Sequence, residues 1–277
     1  FSSRTDCEVI PHLFEEEGAA AINRLVGMFA LAIWSERTHT LLLARDPIGI
    51  KPFVYYWDGK RFLFASEIKA LLADPAVPKE IDPEALDLYL SLNYIPAPWT
   101  IFRNIRKLCP GHLLTVNEGA VTETRYWDIA ATSSDSSCTP TLGDFKQTTA
   151  GLFNALDDAV ASQMVADVPI GAFLSGGIDS SVVVGLMAHH ASKPVKTYTI
   201  GYTDMPMFDE TAYARQVAAF HKTEHHEIML DSRAMVGSVP DVLASLDEPF
   251  GDSSAVPTYV VSRETARDVS VALSGDG

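Results

Sequence analysis

The sequence predicts two domains of different fold class, an α+β domain followed by an α/β domain with a doubly wound parallel sheet. Residues 1–128 contain strand-forming segments that come in pairs around short polar turns, which is typical of antiparallel hairpins. Residues 144–277 alternate apolar strand-like runs with helical patterns, which indicates a parallel sheet covered on both faces. Residues 129–143 are small, polar and without periodicity, so we predict a linker there.

The first domain is predicted to contain three hairpins and two helices. Asp58-Gly59 is a strong turn signal within the second hairpin. Ser66 is a candidate N-cap of the first helix, and Asp82 followed by Pro83 marks the beginning of the second. The expected elements are the hairpins Met28–Trp34 with Thr40–Ala44, Val54–Trp57 with Arg61–Ala65, and Leu113–Val116 with Val121–Trp127, and the helices Ser66–Leu72 and Asp82–Leu90.

The second domain is predicted from a change in hydrophobic period. Its first helix has Leu152, Leu156 and Val160 on one stripe, which we expect to face the core. The predicted helices are Phe145–Val165, Ser180–Ala191, Glu210–Phe220, Val239–Leu246 and Thr258–Arg267, and the predicted strands are Val168–Leu174, Val195–Ile200, His225–Leu230 and Val269–Leu273. Ligands of such folds bind at the carboxyl ends of the strands.

Composition and charge exclude several classes of protein. The 21 basic and 36 acidic side chains give a net charge of −15, which argues against binding nucleic acid or an anionic membrane. No apolar run approaches the ~18 residues that span a bilayer. The three cysteines, Cys7, Cys109 and Cys138, include no CxxC pair, so we expect neither a zinc ribbon nor a disulfide scaffold, and a reducing, cytoplasmic location fits best.

One strand end contains a motif with chemical meaning, the segment Ser175-Gly176-Gly177-Ile178-Asp179-Ser180-Ser181 before a predicted helix. Two glycines let the backbone approach a ligand, and hydroxyls beside a helix start favour an oxyanion. A Walker A loop would require GxxxxGK[ST], which this segment lacks. A loop without lysine is better suited to hold pyrophosphate as a leaving group than to transfer the terminal phosphoryl group.

This loop resembles the pyrophosphatase loop of ATP-pyrophosphatases, and the chain around it resembles glutamine-hydrolysing asparagine synthetases. The resemblance implies an N-terminal-nucleophile amidotransferase fold for residues 1–128 and a doubly wound ATP-pyrophosphatase fold for residues 144–277, both partial. The first-domain segments that support it are Gly27–Ala30, Leu43–Pro52, Phe64–Leu71, Phe102–Leu113 and Tyr126-Trp127.

The resemblance also implies a reaction. Glutamine is hydrolysed in the first domain, ammonia passes through an internal channel, and ATP adenylates aspartate before ammonia displaces AMP to give asparagine. A carboxylate is a poor electrophile, and adenylation supplies a good leaving group. ATP and Mg²⁺ are the implied cofactors. Glutamine, aspartate and ATP are the implied small-molecule partners, with no nucleic acid or membrane, and a homodimer is left open.

Site residues follow from the resemblance position by position. Asp6 would bind the α-amino group of glutamine. The chemistry of the loop allows Asp179 either to cap the following helix or to help to hold Mg²⁺. Core packing is an equally good interpretation of Leu174 and Ile200, and a capped loop is an equally good interpretation of 247–254. The implied ATP-binding residues are Leu174, Ser175, Gly176, Gly177, Asp179, Ser180, Ile200, Ser274 and Gly275, and the implied acceptor pocket contains Asp247, Asp252 and Ser253.

The chain departs from the family pattern at both ends. It begins at Phe1 without the N-terminal cysteine nucleophile of the family, and it stops at Gly277 before an expected acidic pair. We therefore expect a fragment of a longer protein that has no glutaminase activity by itself. Cys7 is expected to be an ordinary thiol rather than a substitute nucleophile.

Two alternative functions remain open at this point. A relative with the same machinery could amidate a different carboxylate, such as a cell-surface sugar or a β-lactam precursor. A non-catalytic nucleotide-binding relative is the other alternative.

Two further clusters are expected to be structural. His225-His226-Glu227 resembles a set of metal ligands, but adjacent strand residues point to opposite faces, so we do not predict a zinc site. Arg45 and Asp46 are expected to hold a core loop rather than to await a substrate.

Overall fold

The computed structural model describes residues 1–3, 5–129 and 144–276, and these residues form two compact units. The first unit contains the described residues up to Ile129 together with Leu246–Asp252, and the second contains the others from Asp144 onward. The predicted linker, apart from Ile129, lies outside the described residues. Leu246–Asp252 thus lies with the first unit, although the sequence pattern had grouped it with the second.

The first unit is built on two antiparallel sheets, and all three predicted hairpins are confirmed. The strand orders are β1-β2-β6-β7 and β4-β3-β5. Its elements are α1 (Val9–Glu17), β1 (Ala30–Ser35), β2 (Thr40–Arg45), β3 (Val54–Trp57), β4 (Phe62–Ala65), α2 (Ile68–Leu71), α3 (Pro83–Leu92), β5 (Ile105–Lys107), β6 (His112–Asn117) and β7 (Ala120–Arg125), with 3₁₀ helices at Asp6–Glu8 and Gly18–Arg24.

The loop after β2 is held by Arg45 and Asp46, as expected of a structural pair. The Arg45 guanidinium donates to the carbonyl oxygens of Lys51, Leu108 and Gly49 at 2.7–2.8 Å. The carboxylate of Asp46, which is 1% exposed, accepts the backbone N–H groups of Gly49, Ile50 and Lys51 at 2.7–2.9 Å. Asp46 therefore satisfies three backbone groups of the turn, and Arg45 connects that turn to the backbone of Leu108.

The two predicted helix caps of the first unit have different outcomes. Asp82 is confirmed, because its carboxylate accepts the N–H of Glu84 at 3.0 Å and Pro83 begins α3. Ser66 is wrong as a cap, because α2 begins at Ile68, whose N–H donates to Asp247 Oδ2 at 2.6 Å. A stronger acceptor from a sequence-distant segment occupies the position that a local hydroxyl was expected to take.

The second unit has a four-stranded parallel sheet in the order β10-β9-β8-β11, and every predicted helix and strand is present. The chain enters the sheet at β8 and adds β9 and β10 on one side. It then returns to add β11 on the other side of β8, so the strand order reverses between β8 and β11. The elements are α4 (Phe145–Gln163), β8 (Ile170–Phe173), α5 (Ile178–His190), β9 (Lys196–Tyr202), α6 (Thr211–His221), β10 (Glu224–Leu230), α7 (Ser232–Ser245), α8 (Ala255–Thr265) and β11 (Val271–Leu273), with a 3₁₀ helix at Pro206–Phe208.

The apolar stripe of α4 is only partly used. Val160 joins the core of the second unit, as expected. Leu152 is 60% exposed and Leu156 is 37% exposed, so the expectation that the whole stripe is buried was wrong. The periodic pattern identifies the helix and the direction of its apolar face, but it does not show how far along the helix the neighbouring elements extend.

Within the described residues, no helix has the length and hydropathy needed to cross a membrane.

Candidate active site

The second unit contains a cavity of about 540 Å³ at the carboxyl ends of β8, β9 and β11, a size typical of small-molecule sites. This position matches the general rule that ligands of open parallel sheets bind where the strand order reverses. Every sequence-predicted nucleotide-binding residue except Gly176 lines this cavity: Leu174, Ser175, Gly177, Asp179, Ser180, Ile200, Ser274 and Gly275.

The loop after β8 is held in shape by its own hydroxyl groups. Ser175 Oγ and Ser180 Oγ lie 2.9 Å apart, and the N–H of Gly177 donates to Ser175 Oγ at 3.2 Å. Ser181 Oγ donates to the carbonyl oxygen of Gly177 at 2.6 Å. Helix α5 follows directly, and no side chain of the described residues caps its start, so its first backbone N–H groups remain suited to an anionic ligand.

The glycines at this site serve the packing of the loop as well as access for a ligand. Gly176 has φ +81°, and a Cβ placed there would lie 2.5 Å from the backbone nitrogen of Ala214 in α6. A Cβ at Gly275 would lie 2.5 Å from the backbone nitrogen of Ser180. A Cβ at Gly177 would meet only Ser175 Oγ, at 3.3 Å. Gly176 and Gly275 therefore permit close backbone approach, and Gly177 faces the cavity.

One wall of the cavity is apolar. Leu174 is fully buried in the core and also lines the cavity, so packing and ligand contact coincide at this residue. Ile200 lines the same wall from β9. The sequence analysis missed several lining residues: Tyr202, Phe208, Glu210, Pro257 and Thr258. Tyr202 ends β9, Phe208 and Glu210 lie between β9 and α6, and Pro257 and Thr258 lie in the first turn of α8, so closeness to a strand end or a helix start was the available signal.

The charged residues that line the cavity are acidic: Asp179, Glu210 and Asp276. The described residues contain no cluster of three or more His, Cys, Asp or Glu that would hold a metal ion. Mg²⁺ characteristically binds one or two carboxylates together with phosphate oxygens of a substrate. Asp179 fits that pattern, because it lies in the first turn of α5 and lines the cavity beside Ser175 and Gly177.

Asp6 lies in the first unit, exposed in the 3₁₀ helix Asp6–Glu8. The thiol of Cys7 donates to Asp6 Oδ1 at 3.4 Å, and this hydrogen bond raises the pKa of Cys7. A raised thiol pKa lowers the fraction of thiolate at neutral pH, which is the opposite of what an activated nucleophile needs. The side chain of Cys7 is therefore poorly suited to nucleophilic catalysis.

The structure does not bring the three acceptor candidates together in the 540 Å³ cavity. Asp247 lies in the first unit, where its carboxylate accepts the N–H of Ile68 and lies 3.5 Å from Lys69 Nζ. Asp252 and Ser253 are exposed and precede Ser254, the N-cap residue of α8. Pro257 of that helix lines the cavity.

The histidines of β10 take part in strand packing. His225 Nδ1 lies 2.9 Å from Thr197 Oγ1 on β9, while His226 stacks on the ring of Tyr198 with centroids 5.0 Å apart. Glu227 is held by Arg215 of α6 through two hydrogen bonds of 2.8–2.9 Å. Neighbouring side chains thus contact different partners, as the strand geometry predicts.

His225 should make the stability of the second unit sensitive to acid. Burial lowers the pKa of His225, and the nearby charges of Arg215 and His226 act in the same direction against the opposing effect of Glu227. The unfolded chain then binds a proton more readily than the folded chain, so the free energy of unfolding should fall as pH drops below about 6.5. In denaturant titrations between pH 7 and 5, H225Q should show a smaller fall than the parent. An equal fall in both proteins would contradict this assignment.

Comparisons with known proteins extend these observations to the whole chain. Residues 1–127 match the family model of the glutamine amidotransferase domain, and residues 151–277 match that of asparagine synthase. A Methanocaldococcus jannaschii protein provisionally named a glutamine-hydrolyzing asparagine synthetase is 36% identical, over 99% of this chain and 52% of that protein. A Bacillus subtilis protein named asparagine synthetase 3, glutamine-hydrolyzing, is 31% identical over 100% of this chain and 46% of its own length.

A third relative has a different name. The amidase chry2 of Gibberella zeae is 28% identical over 100% of this chain and 42% of that protein. The chain spans about half the length of the curated relatives that it matches.

Proposed function

The chain belongs to the glutamine-hydrolysing asparagine synthetase family, and from that premise we propose that it takes part in the ATP-dependent conversion of aspartate to asparagine with nitrogen from glutamine. The observation that best supports this proposal is the Ser175–Ser181 loop, four of whose residues line a ligand-sized cavity at the reversal point of a parallel sheet. We also propose the finer folds, an N-terminal-nucleophile amidotransferase domain followed by a doubly wound ATP-pyrophosphatase domain.

The residues of the cavity can be given roles in adenylation. A carboxylate oxygen of aspartate attacks the α-phosphorus of ATP, the bond to the β-phosphate bridging oxygen breaks, and pyrophosphate leaves with that oxygen. The hydroxyls of Ser175 and Ser180 and the first N–H groups of α5 bind the leaving pyrophosphate. Leu174 and Ile200 hold the adenosine portion against the apolar wall.

A magnesium ion, when bound, neutralises phosphate charge and so lowers the barrier to departure of pyrophosphate. Asp179 would hold it together with phosphate oxygens. Ammonia then attacks the acyl carbon of the aspartyl adenylate, AMP leaves, and the proton lost by nitrogen passes to solvent or to a base.

In the first unit, we propose that Asp6 binds the α-amino group of glutamine. The exposed carboxylate in a short 3₁₀ helix supports that role. The raised pKa of Cys7 supports the assignment of the glutaminase nucleophile to some other residue. The free thiols of Cys7 and Cys109 fit a reducing compartment, so we propose a cytoplasmic location. A homodimer is a separate proposal.

A second candidate function is amidation of a different carboxylate. Two observations favour this candidate: the Asp247 carboxylate is engaged by the N–H of Ile68, and a relative that matches over 100% of this chain and 42% of its own length is named an amidase. The adenylation machinery would be the same, and only the acceptor-binding residues would differ.

Product analysis on the protein in its natural full length tests the proposal. With glutamine labelled by ¹⁵N in its amide, ATP, Mg²⁺ and aspartate, we expect labelled asparagine, AMP and pyrophosphate in equal amounts. Formation of ADP and phosphate would contradict the adenylate mechanism. Labelled amide only with another acid would favour the second candidate, and no nucleotide cleavage with any acid would indicate a non-catalytic relative.

A further inference from the structure

The segment Leu246–Asp252, here called the anchor segment, lies in the first unit although the helices on either side of it, α7 and α8, belong to the second. Its sequence combines two adjacent acids with a proline and a glycine. The family resemblance assigns no role to its packing. Three separate contacts hold it, and each involves a backbone group of the first unit.

The first contact is made by Asp247. Its Oδ2 accepts the N–H of Ile68 at 2.6 Å, and its Oδ1 lies 3.5 Å from Lys69 Nζ. Ile68 is the first residue of α2. A carboxylate at a helix N-terminus satisfies an otherwise unpaired donor and interacts favourably with the helix dipole.

The second contact is made by Glu248. Its carboxylate accepts the N–H of Ile101 at 3.2 Å and forms an ion pair with Lys107. Lys107 Nζ also donates to the carbonyl oxygen of Ile95 at 2.6 Å. Both charged side chains are mostly buried, so loss of either partner would leave the other charge poorly solvated.

An apolar recess surrounds this ion pair. The recess has a volume of about 320 Å³. It is lined by Lys107 and Glu248 together with Tyr94, Ile95, Leu246, Asp247, Pro249 and Phe250. The apolar lining strengthens the ion pair, because fewer water molecules compete for it.

The third contact is made by the backbone of Gly251. Its N–H donates to the carbonyl oxygen of Asn93 at 2.7 Å. Asn93 ends α3 in the left-handed conformation, with φ 65°. A Cβ at Gly251 would lie 3.0 Å from Asn93 Cβ, so the backbone of the anchor segment closely approaches the end of α3.

We propose that these three contacts, all within the first unit, position the acceptor-binding segment that follows Gly251, with Lys107 and Asp247 as positioning residues. Gly251 directly precedes the proposed acceptor residues, so fixing its backbone fixes the place from which they start. This inference rests on the proposed function, because it takes Asp252 and Ser253 as acceptor contacts.

The proposal predicts a selective kinetic effect. The three contacts fix the chain next to Asp252, whereas the residues lining the nucleotide cavity all lie in the second unit. Displacement of the anchor segment should therefore weaken aspartate binding and leave ATP binding nearly unchanged. A purely structural defect would instead lower the amount of active enzyme, which reduces kcat and leaves both KM values as they were.

Lys107→Met in the natural full-length protein tests this prediction, with ammonium as nitrogen source so that glutamine hydrolysis does not contribute. We expect the KM for aspartate to rise about tenfold and the KM for ATP to change less than about twofold. The matched control is R103Q, which removes a cation whose ion pair with Glu80 is exposed. Unchanged KM for aspartate in a folded K107M protein, or an equal rise in R103Q, would overturn the proposal.

A second variant separates this inference from the proposed function and from misfolding. In D247A, which removes every side-chain acceptor, we expect amide hydrogen exchange at Ile68 to accelerate at least about tenfold, whereas D241A, which removes an exposed carboxylate of α7, should leave it unchanged. D247A should also raise the KM for aspartate. If the parent protein makes no asparagine, the proposed function fails. If D247A and D241A behave alike in both measurements, the positioning role fails.

Discussion

Replacement of Gly176 by alanine is expected to lower aspartate-dependent exchange of pyrophosphate into ATP by about a hundredfold. Gly176 has φ +81°, a conformation that alanine rarely adopts, and its Cβ would lie 2.5 Å from both the backbone nitrogen of Ala214 and Tyr213 Cβ. These neighbours belong to the first turn of α6, so the loop rather than the helix has to move. The hydroxyls of Ser175 and Ser180 would then be displaced from the leaving pyrophosphate.

The control for this substitution is Gly237→Ala in α7. A Cβ at Gly237 would meet nothing within 4 Å, and alanine is the better helix former by about 1 kcal/mol. We expect G237A to keep its exchange rate and to be slightly more stable. Retention of full exchange by G176A, with normal folding, would contradict the assignment of this loop to pyrophosphate.

Replacement of Asp46 by asparagine is expected to destabilise the first unit by about 2–3 kcal/mol. The Asp46 carboxylate accepts three backbone N–H groups in a site that is 1% exposed. An amide has one acceptor oxygen, so its NH₂ group would face a backbone donor of the turn. The chain's four tryptophans all lie in the first unit, so tryptophan fluorescence during urea unfolding reports on this unit selectively.

The matched control is Asp87→Asn, which changes an exposed carboxylate of α3 in the same unit. We expect its unfolding midpoint to stay close to that of the parent, since surface substitutions usually change stability by no more than about 0.5 kcal/mol. A midpoint for D46N that matches D87N would show that the Asp46 contacts contribute little, and the structural role assigned to the loop would be wrong.

The regular elements could be predicted from sequence because their signals are local. Turn residues such as Asp58-Gly59 and cap residues such as Asp82 act on immediate neighbours. In the second unit, strands and helices alternate along the chain, and this order favours a parallel sheet. Strand β5 was not predicted, because its three residues contain one apolar and two basic side chains and so lack the apolar run that identified β11. The cap of α2 was missed because it comes from Asp247, and no local rule connects that residue with Ile68.

The candidate site shows the same division between local and long-range information. The loop from Ser175 to Ser180 was found because its chemistry is contained in one contiguous motif. Glu210 and Pro257 line the same cavity only because the sheet order brings the ends of three strands together. The contact of Asp247 with Ile68 could not be predicted for a related reason, since the two residues are far apart in the sequence.

Incorporation of labelled pyrophosphate into ATP by the natural full-length protein tests the central claim most directly, because only reversible adenylation of an acceptor supports it. We expect exchange that requires Mg²⁺ and aspartate, proceeds without glutamine or ammonia, and is nearly abolished in G176A. Exchange with another carboxylic acid but none with aspartate would contradict the proposed acceptor, and exchange that persists in G176A at the parental rate would contradict the proposed site.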